Sequence, residues 1–209
     1  MLLVVFALPA EARVFQRRLA RKQKQETFFD GIMSGTRVGI CFVGIRATAV
    51  VNLEETIRRV TPTLVISSGF AGATRTLLEP GDFLIASNYT TAQVELPVGS
   101  LVDAIGPFCS VEQVSGPAEK RRLGEFNLAV DMESRSIAAV CDRYQIPLIT
   151  ARMISDGRDE GIPPVFIGGK LRNPKEVLEA SQFAFRMLHL TRRLADRLSQ
   201  LIGFTMQTK

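Results

Sequence analysis

The chain alternates short, unbroken apolar runs with amphipathic stretches. Residues 2 to 7, 63 to 68, 83 to 87, 128 to 130 and 147 to 154 are apolar runs of strand length. Runs without polar alternation suit strands covered on both faces, as in a central parallel sheet. Between them the apolar period lengthens to that of a helix. Pro9 stands at a first helical position, and Val14, Phe15 and Leu19 follow on one face. A second helix opens at Gly44-Ile45-Arg46-Ala47-Thr48-Ala49 and runs to about Val60, where Pro62 stops it. Residues 118 to 125 predict a charged helix, and 132 to 144 a helix with Ile137, Val140 and Cys141 inward. From Arg172 a long helix carries a broad apolar face. Residues 28 to 33 and 37 to 43 read as paired strands about Ser34-Gly35. Residues 88 to 108 read as a loosely structured excursion, 109 to 114 as a short strand, and 157 to 170 as a Gly/Pro-rich loop. Strands alternating with helices predict a three-layer α/β/α fold with a mixed central sheet. One domain is expected over 1–209, with 172–203 its long C-terminal helix.

Two glycine-bearing segments follow predicted strands. Gly44 to Ala49 opens a helix, where backbone N–H groups can approach an anion or a sugar; Arg46 beside it could hold a phosphate or simply be solvated. Gly69-Phe70-Ala71-Gly72-Ala73 implies either close backbone approach to a ligand at the sheet's C-terminal edge or a tight turn.

Composition narrows the chemistry. At 209 residues, with 46% hydrophobic and 22% charged positions, the chain is of ordinary globular type. No apolar run reaches the roughly 18 residues that span a bilayer. The apolar start reads as a core strand rather than a signal peptide, so a cytoplasmic protein is expected. The net charge of +5 concentrates in Arg13, Arg17, Arg18, Arg21, Lys22 and Lys24, on one predicted helix and the loop after it. Without interleaved aromatic residues this is a solvated face rather than a nucleic-acid platform. Cys41, Cys109 and Cys141 lie far apart in apolar contexts, so reduced core thiols are expected. A single histidine, His189, excludes a Ser-His-Asp triad and a histidine zinc site. Neither metal nor cofactor is expected, and the chemistry falls to carboxylates, backbone groups and arginine.

The carboxylates are suggestively placed. A strand runs into Val130-Asp131-Met132-Glu133-Ser134, and the next strand ends in Ser155-Asp156. Glu11 stands just beyond the first strand. Acids in such places either cap helices or converge at a sheet edge for acid-assisted bond cleavage.

Gly69-Phe70-Ala71-Gly72, Pro80-Gly81-Asp82, Val130-Asp131-Met132-Glu133-Ser134 and Ser155-Asp156, in that order, resemble the nucleoside phosphorylase/nucleosidase superfamily over most of residues 1 to 160. The resemblance implies cleavage of the N-glycosidic bond of a purine nucleoside, with adenine the expected base. It implies that Glu133 holds the ribose hydroxyls, that Met132 packs on the sugar, and that Asp156, beside Ser155, protonates purine N7. It further implies that Glu11 orients an attacking water, that Ala71 and Gly72 line the ribose side, that Phe70 stands near the nucleophile, and that Val114 lies near the base. Asp156 then needs a dry or negatively crowded site, while Glu11 must stay ionised.

Two departures stand out. Phe70 replaces a hydroxyl residue common in the family, and residues 88 to 108 are short where relatives shape the ribose 5′ pocket. Gly161-Ile162-Pro163-Pro164 and the compact length resemble the hopanoid-associated phosphorylase branch, which implies an adenosyl lipid as an alternative substrate. Hydrolysis is favoured because a second carboxylate at Glu11 repels phosphate. The alternatives are phosphorolysis, with inorganic phosphate as co-substrate and Arg46 or Arg13 to hold it, and a catalytically inactive nucleoside-binding protein. A homodimer is expected, with no nucleic-acid partner, and transient membrane-surface contact if the substrate is a lipid.

Overall fold

The computed structural model describes residues 1–26, 28–44, 47–170 and 172–207, residues 47–49 by backbone alone. Strand β1 (Leu2–Phe6) is buried along its whole length. It lies between β4 (Thr36–Phe42) and β5 (Leu64–Ala73), parallel to both. Its alternate side chains supply two cores. Leu2, Val4 and Phe6 face the layer built by α1 (Pro9–Arg18) and α5 (Pro174–Gln207). Leu3 and Val5 face α2 (Ala47–Val60) and α4 (Ser134–Arg143). An unbroken apolar run is what a strand between two helical layers requires, and the expected three-layer α/β arrangement is present.

The sheet is mixed. From β1 it runs outward through β4 to the antiparallel β3 (Phe28–Met33) and β2 (Ala20–Lys24). On the other side β5 pairs parallel with β10 (Leu148–Asp156), which pairs antiparallel with β6 (Phe83–Ala86), followed by β7 (Ala104–Gly106). Beyond its contact with β1, β5 continues and pairs antiparallel with β9 (Ala129–Asp131), which pairs with β8 (Phe108–Ser110). The sheet therefore splits above the end of β1, and that split is where a ligand crevice forms in open α/β folds.

Several expectations need correction. The basic stretch after α1 is an exposed edge strand, β2, rather than a loop. Lysine and arginine are what such an edge tolerates, because they discourage pairing with another chain. Gly69 to Ala73 is not a turn but the continuation of β5. The strand expected over 109 to 114 stops at Ser110, and 111 to 116 is irregular up to α3 (Pro117–Leu123). Residues 88 to 108 are pinned rather than loose. Thr90 Oγ1 and Thr91 Oγ1 accept from the β10 amides of Thr150 and Leu148 at 3.1 and 3.0 Å, and Leu101 and Val102 enter the core. Cys41 and Cys141 are buried free thiols, and Cys109 is half-buried rather than core.

Helix α5 turns one stripe inward through Leu190, Leu194, Leu198 and Leu201 and leaves Leu178, Phe185 and Leu188 exposed. Leu198→Ala should lower unfolding free energy by about 2–5 kcal/mol through a cavity in the core. Leu188→Ala on the outer stripe should change it by under about 0.5 kcal/mol. Urea denaturation of the two variants beside the parent checks this; equal losses would place the inner stripe outside the core.

Candidate active site

Four chain segments meet above the split in the sheet. The end of β1 leads through Leu8 into α1, where Glu11 is the third helical residue. Its Oε2 accepts the Leu8 N–H at 3.0 Å, so the carboxylate is held at the helix start. The middle of β5 brings Ser67 to Gly72, the end of β10 brings Arg152 to Asp156, and β9 leads through Met132 and Glu133 into α4.

In the β5–β10 register Gly69 stands opposite Arg152 and Gly72 opposite Asp156. A Cβ on Gly69 would lie 3.0 Å from Glu11 Oε1. One on Gly72 would lie 2.8 Å from Lys120 Cε and 3.2 Å from Asp156 Oδ2. The two glycines are thus sockets for charged side chains of this protein, and each also lines a cavity.

Arg152 is buried in the middle of β10. Its Nε donates to Asp131 Oδ2 at 2.9 Å, and Nη2 donates to Ser67 and Ser134 hydroxyls at 3.1 Å each. Asp131 also accepts the Ser134 N–H at 3.3 Å and the Ser134 hydroxyl, so it holds the start of α4. At the outer end of the same strand Asp156 is buried. Its Oδ2 is paired with the Lys120 ammonium from α3, and its Oδ1 accepts the Ser155 hydroxyl. Lys120 Nζ also donates to the backbone carbonyls of Gly157 at 3.1 Å and Glu160 at 2.9 Å.

These groups wall two adjoining cavities. The larger, about 140 Å³ and open to solvent on one side, is lined by Phe70, Ala71, Gly72, Val114, Met132, Glu133, Ser155 and Asp156, together with Ser115, Lys120 and Ile162. Its volume matches cavities that take one aromatic ring. The smaller leaves about 10 Å³ for the centre of a water molecule and is lined by Glu11, Ser68, Gly69, Phe70, Glu133 and Arg152. That is room for one water. Phe70 and Glu133 line both. Every site residue expected from the sequence is therefore at this crevice except Arg46, which lies outside the described residues. Arg13 faces the α1–β2 surface with Arg17, Lys22 and Lys24, away from both cavities.

The electrostatics differ from expectation. Glu11 keeps a little surface toward the small cavity, but protein surrounds it. Loss of water pushes its carboxyl up from the ordinary glutamate range, against the pull of backbone hydrogen bonds and the Arg152 charge. Burial likewise pushes Glu133 up to about 7; Arg152 opposes this, while Asp131 and Glu11 reinforce it. Asp156, expected to be dry or crowded by negative charge, is dry, but its neighbour is a cation.

Arg152, Lys120, Ser68 and Ser115 are among the polar residues at the site that the sequence reading does not single out. Arg152 carried a readable signal, since an arginine inside an apolar strand run is rarely buried without a task. Lys120 carried none, because Glu119-Lys120-Arg121-Arg122 reads as a solvated helix. The hydroxyls of Ser68 and Ser115 are buried without a protein partner, facing the small and large cavities respectively.

Residues 91–180 match the family model described as Phosphorylase superfamily. A 5'-methylthioadenosine/S-adenosylhomocysteine nucleosidase of Staphylococcus aureus (strain MRSA252) is 24% identical, over 73% of this chain and 85% of that protein. Among solved structures, a putative nucleosidase of the same description from Borrelia burgdorferi B31, bound to adenine, aligns with a TM-score of 0.72 at 20% identity, over 97% of this chain and 99% of that one. The Streptococcus pneumoniae nucleosidase with the transition-state inhibitor MT-ImmA aligns with a TM-score of 0.72 at 17% identity, over 98% and 99%. At these identities the structures establish a shared fold.

Because the folded state raises Glu133 from 4.5 to about 7, it binds that proton more tightly than the unfolded chain does. Glu133 therefore stabilises the fold fully below pH 4.5, and the contribution is lost as pH rises through about 7. Urea unfolding across this range should show stability falling more steeply in the parent than in Glu133→Gln. Parallel slopes would contradict the shift.

Proposed function

We propose that the chain is a nucleosidase that hydrolyses the N-glycosidic bond of a purine nucleoside, with adenine as the base, and that residues 1–209 act as one unit. The observation that carries this reading is the pair of cavities sharing Phe70 and Glu133. One has room for a base over Asp156, and the other has room for a single water beside Glu11. The reacting ribose carbon belongs between them. The similarity to nucleosidases named for methylthioadenosine and S-adenosylhomocysteine, one of them bound to adenine, supports adenine as the leaving base.

Each group then has a task. Ser155 orients Asp156, and Asp156 delivers a proton to N7 as the base departs. Val114 meets the base edge with its backbone, while Met132, Phe70, Ala71 and Gly72 pack about the sugar. Glu133 accepts from the ribose hydroxyls, and its negative potential stabilises the oxocarbenium-like sugar. Glu11 takes the proton of the water that attacks it. A carboxyl pushed upward by burial is a better base than an ordinary glutamate, provided it is ionised at working pH. Phosphorolysis fits less well, because one water volume flanked by two carboxylates has no place for phosphate.

Incubation with adenosine and methylthioadenosine should release adenine and free sugar at a rate independent of phosphate. Strict phosphate dependence would favour phosphorolysis, and binding without release would favour an inactive binding protein. Asp156→Asn and Glu11→Gln should each lower kcat about 10²–10⁴-fold, read as adenine by chromatography. Unchanged turnover in either removes that residue from the reaction.

The exposed stripe of Leu178, Phe185 and Leu188, with Phe166 and Ile167 nearby in sequence to the α5 start, supports a homodimer through α5. Light scattering should give twice the chain mass, and Phe185→Asp should halve it. Among the described residues no helix is long and apolar enough to cross a membrane. If the 5′ substituent is a lipid, the open side of the larger cavity and the basic α1–β2 surface support a transient membrane contact.

A further inference from the structure

Asp156 has neither oxygen free. Oδ2 is paired with the Lys120 ammonium and Oδ1 accepts the Ser155 hydroxyl, and all three residues are buried. Both carboxylate oxygens already accept from donors of the protein, yet the departing base needs a proton. The nearest transferable proton is on Lys120. Nζ is ringed by three oxygens of the protein. As an ammonium it donates to Asp156 Oδ2, Gly157 O and Glu160 O, which accounts for all three of its N–H bonds. As a neutral amine it keeps two N–H bonds for the two carbonyls and turns its lone pair to the carboxyl. The empty Cβ position of Gly72 makes room for the Lys120 end, with Cε only 2.8 Å away. With all its donors engaged by protein, Lys120 has none left to read the base.

We propose that Lys120 is a positioning residue acting through Asp156: it holds the carboxylate and the Gly157–Glu160 turn in place and supplies the proton that Asp156 passes to the leaving base. This rests on the nucleosidase reading. As the C1′–N9 bond breaks, its electron pair leaves with the base. N7 gains a proton from the Asp156 carboxyl, and that carboxyl takes one from Nζ, leaving Lys120 a neutral amine. The attacking water bonds to C1′ and gives its proton to Glu11. Exchange with solvent after product release returns Lys120 and Glu11 to their starting states.

An N7-methylated purine nucleoside tests this directly, because its base leaves without needing a proton. Lys120→Arg keeps the positive charge beside Asp156 but does not surrender a proton. Lys120→Gln keeps a hydrogen bond without the charge. In each variant that retains the parent circular dichroism spectrum, kcat on the unmethylated nucleoside should fall at least about 100-fold. KM should stay within a few-fold, and cleavage of the methylated nucleoside within about threefold of the parent. Equal losses on both substrates make Lys120 purely structural, and full activity in Lys120→Arg excludes it as the proton source; either overturns the proposal. If neither variant folds, K120M/D156N, which leaves no unpaired charge, carries the test. Its rate on the unmethylated nucleoside should equal that of Asp156→Asn, because both break one relay, and a further tenfold loss overturns the proposal. Failure of the parent protein to release base from any nucleoside would instead sink the nucleosidase reading itself.

Discussion

The buried pair of Arg152 and Asp131 is the contact on which the rest of the crevice depends. It joins the middle of β10 to the end of β9 and start of α4, across the glycine-bearing segment of β5. A guanidinium in this position is costly to bury unless its donors are met, and they are met by Asp131, Ser67, Ser134 and a neighbouring carbonyl. The same charge opposes the rise that burial imposes on both Glu11 and Glu133. One interaction thus sets where α4 begins, where Glu133 points, and how readily two carboxyls give up protons. Removing one partner would leave the other charge buried and uncompensated, which typically costs about 3–5 kcal/mol.

Around that pair the acids are sorted by their neighbours. Glu11 and Glu133 share a desolvated space, and the Glu11 charge adds to the rise that burial imposes on Glu133. Asp156 lies farther along β10 with a private cation. Two different charge environments therefore lie a few residues apart along one strand, and Gly69 and Gly72 open the gaps through which Glu11 and Lys120 reach it. The result is a crevice whose charged groups are held by each other.

Much of this was legible along the chain. Unbroken apolar runs identified β1, β5, β6 and β10, because a strand between two helical layers needs no polar face. Proline and acidic residues marked the start of α1. The Asp131-Met132-Glu133-Ser134 run and the Ser155-Asp156 end were recognisable because they sit at strand termini, where the pattern changes abruptly. The failures share a cause. Gly69 to Ala73 left a turn open beside backbone approach to a ligand because glycine is read locally as a breaker, whereas the segment continues β5 and makes room for side chains arriving from elsewhere. The basic stretch 20 to 24 looked like a loop because an edge strand needs only one neighbour and shows no buried face.

By itself the sequence determined the layered α/β architecture and the set of carboxylates available for chemistry, since hydrophobic period and strand-end position are local properties. Only the tertiary structure decided their pairing. Lys120 is indistinguishable from its solvated helix neighbours until α3 packs against β10, 36 positions away in the chain, and places its ammonium on Asp156. Ser68 becomes available as a buried hydroxyl only once the strands enclose it. Protonation depends on what surrounds a group in space, and the order of residues along a chain does not contain that until the sheet has split and the helices have closed over it.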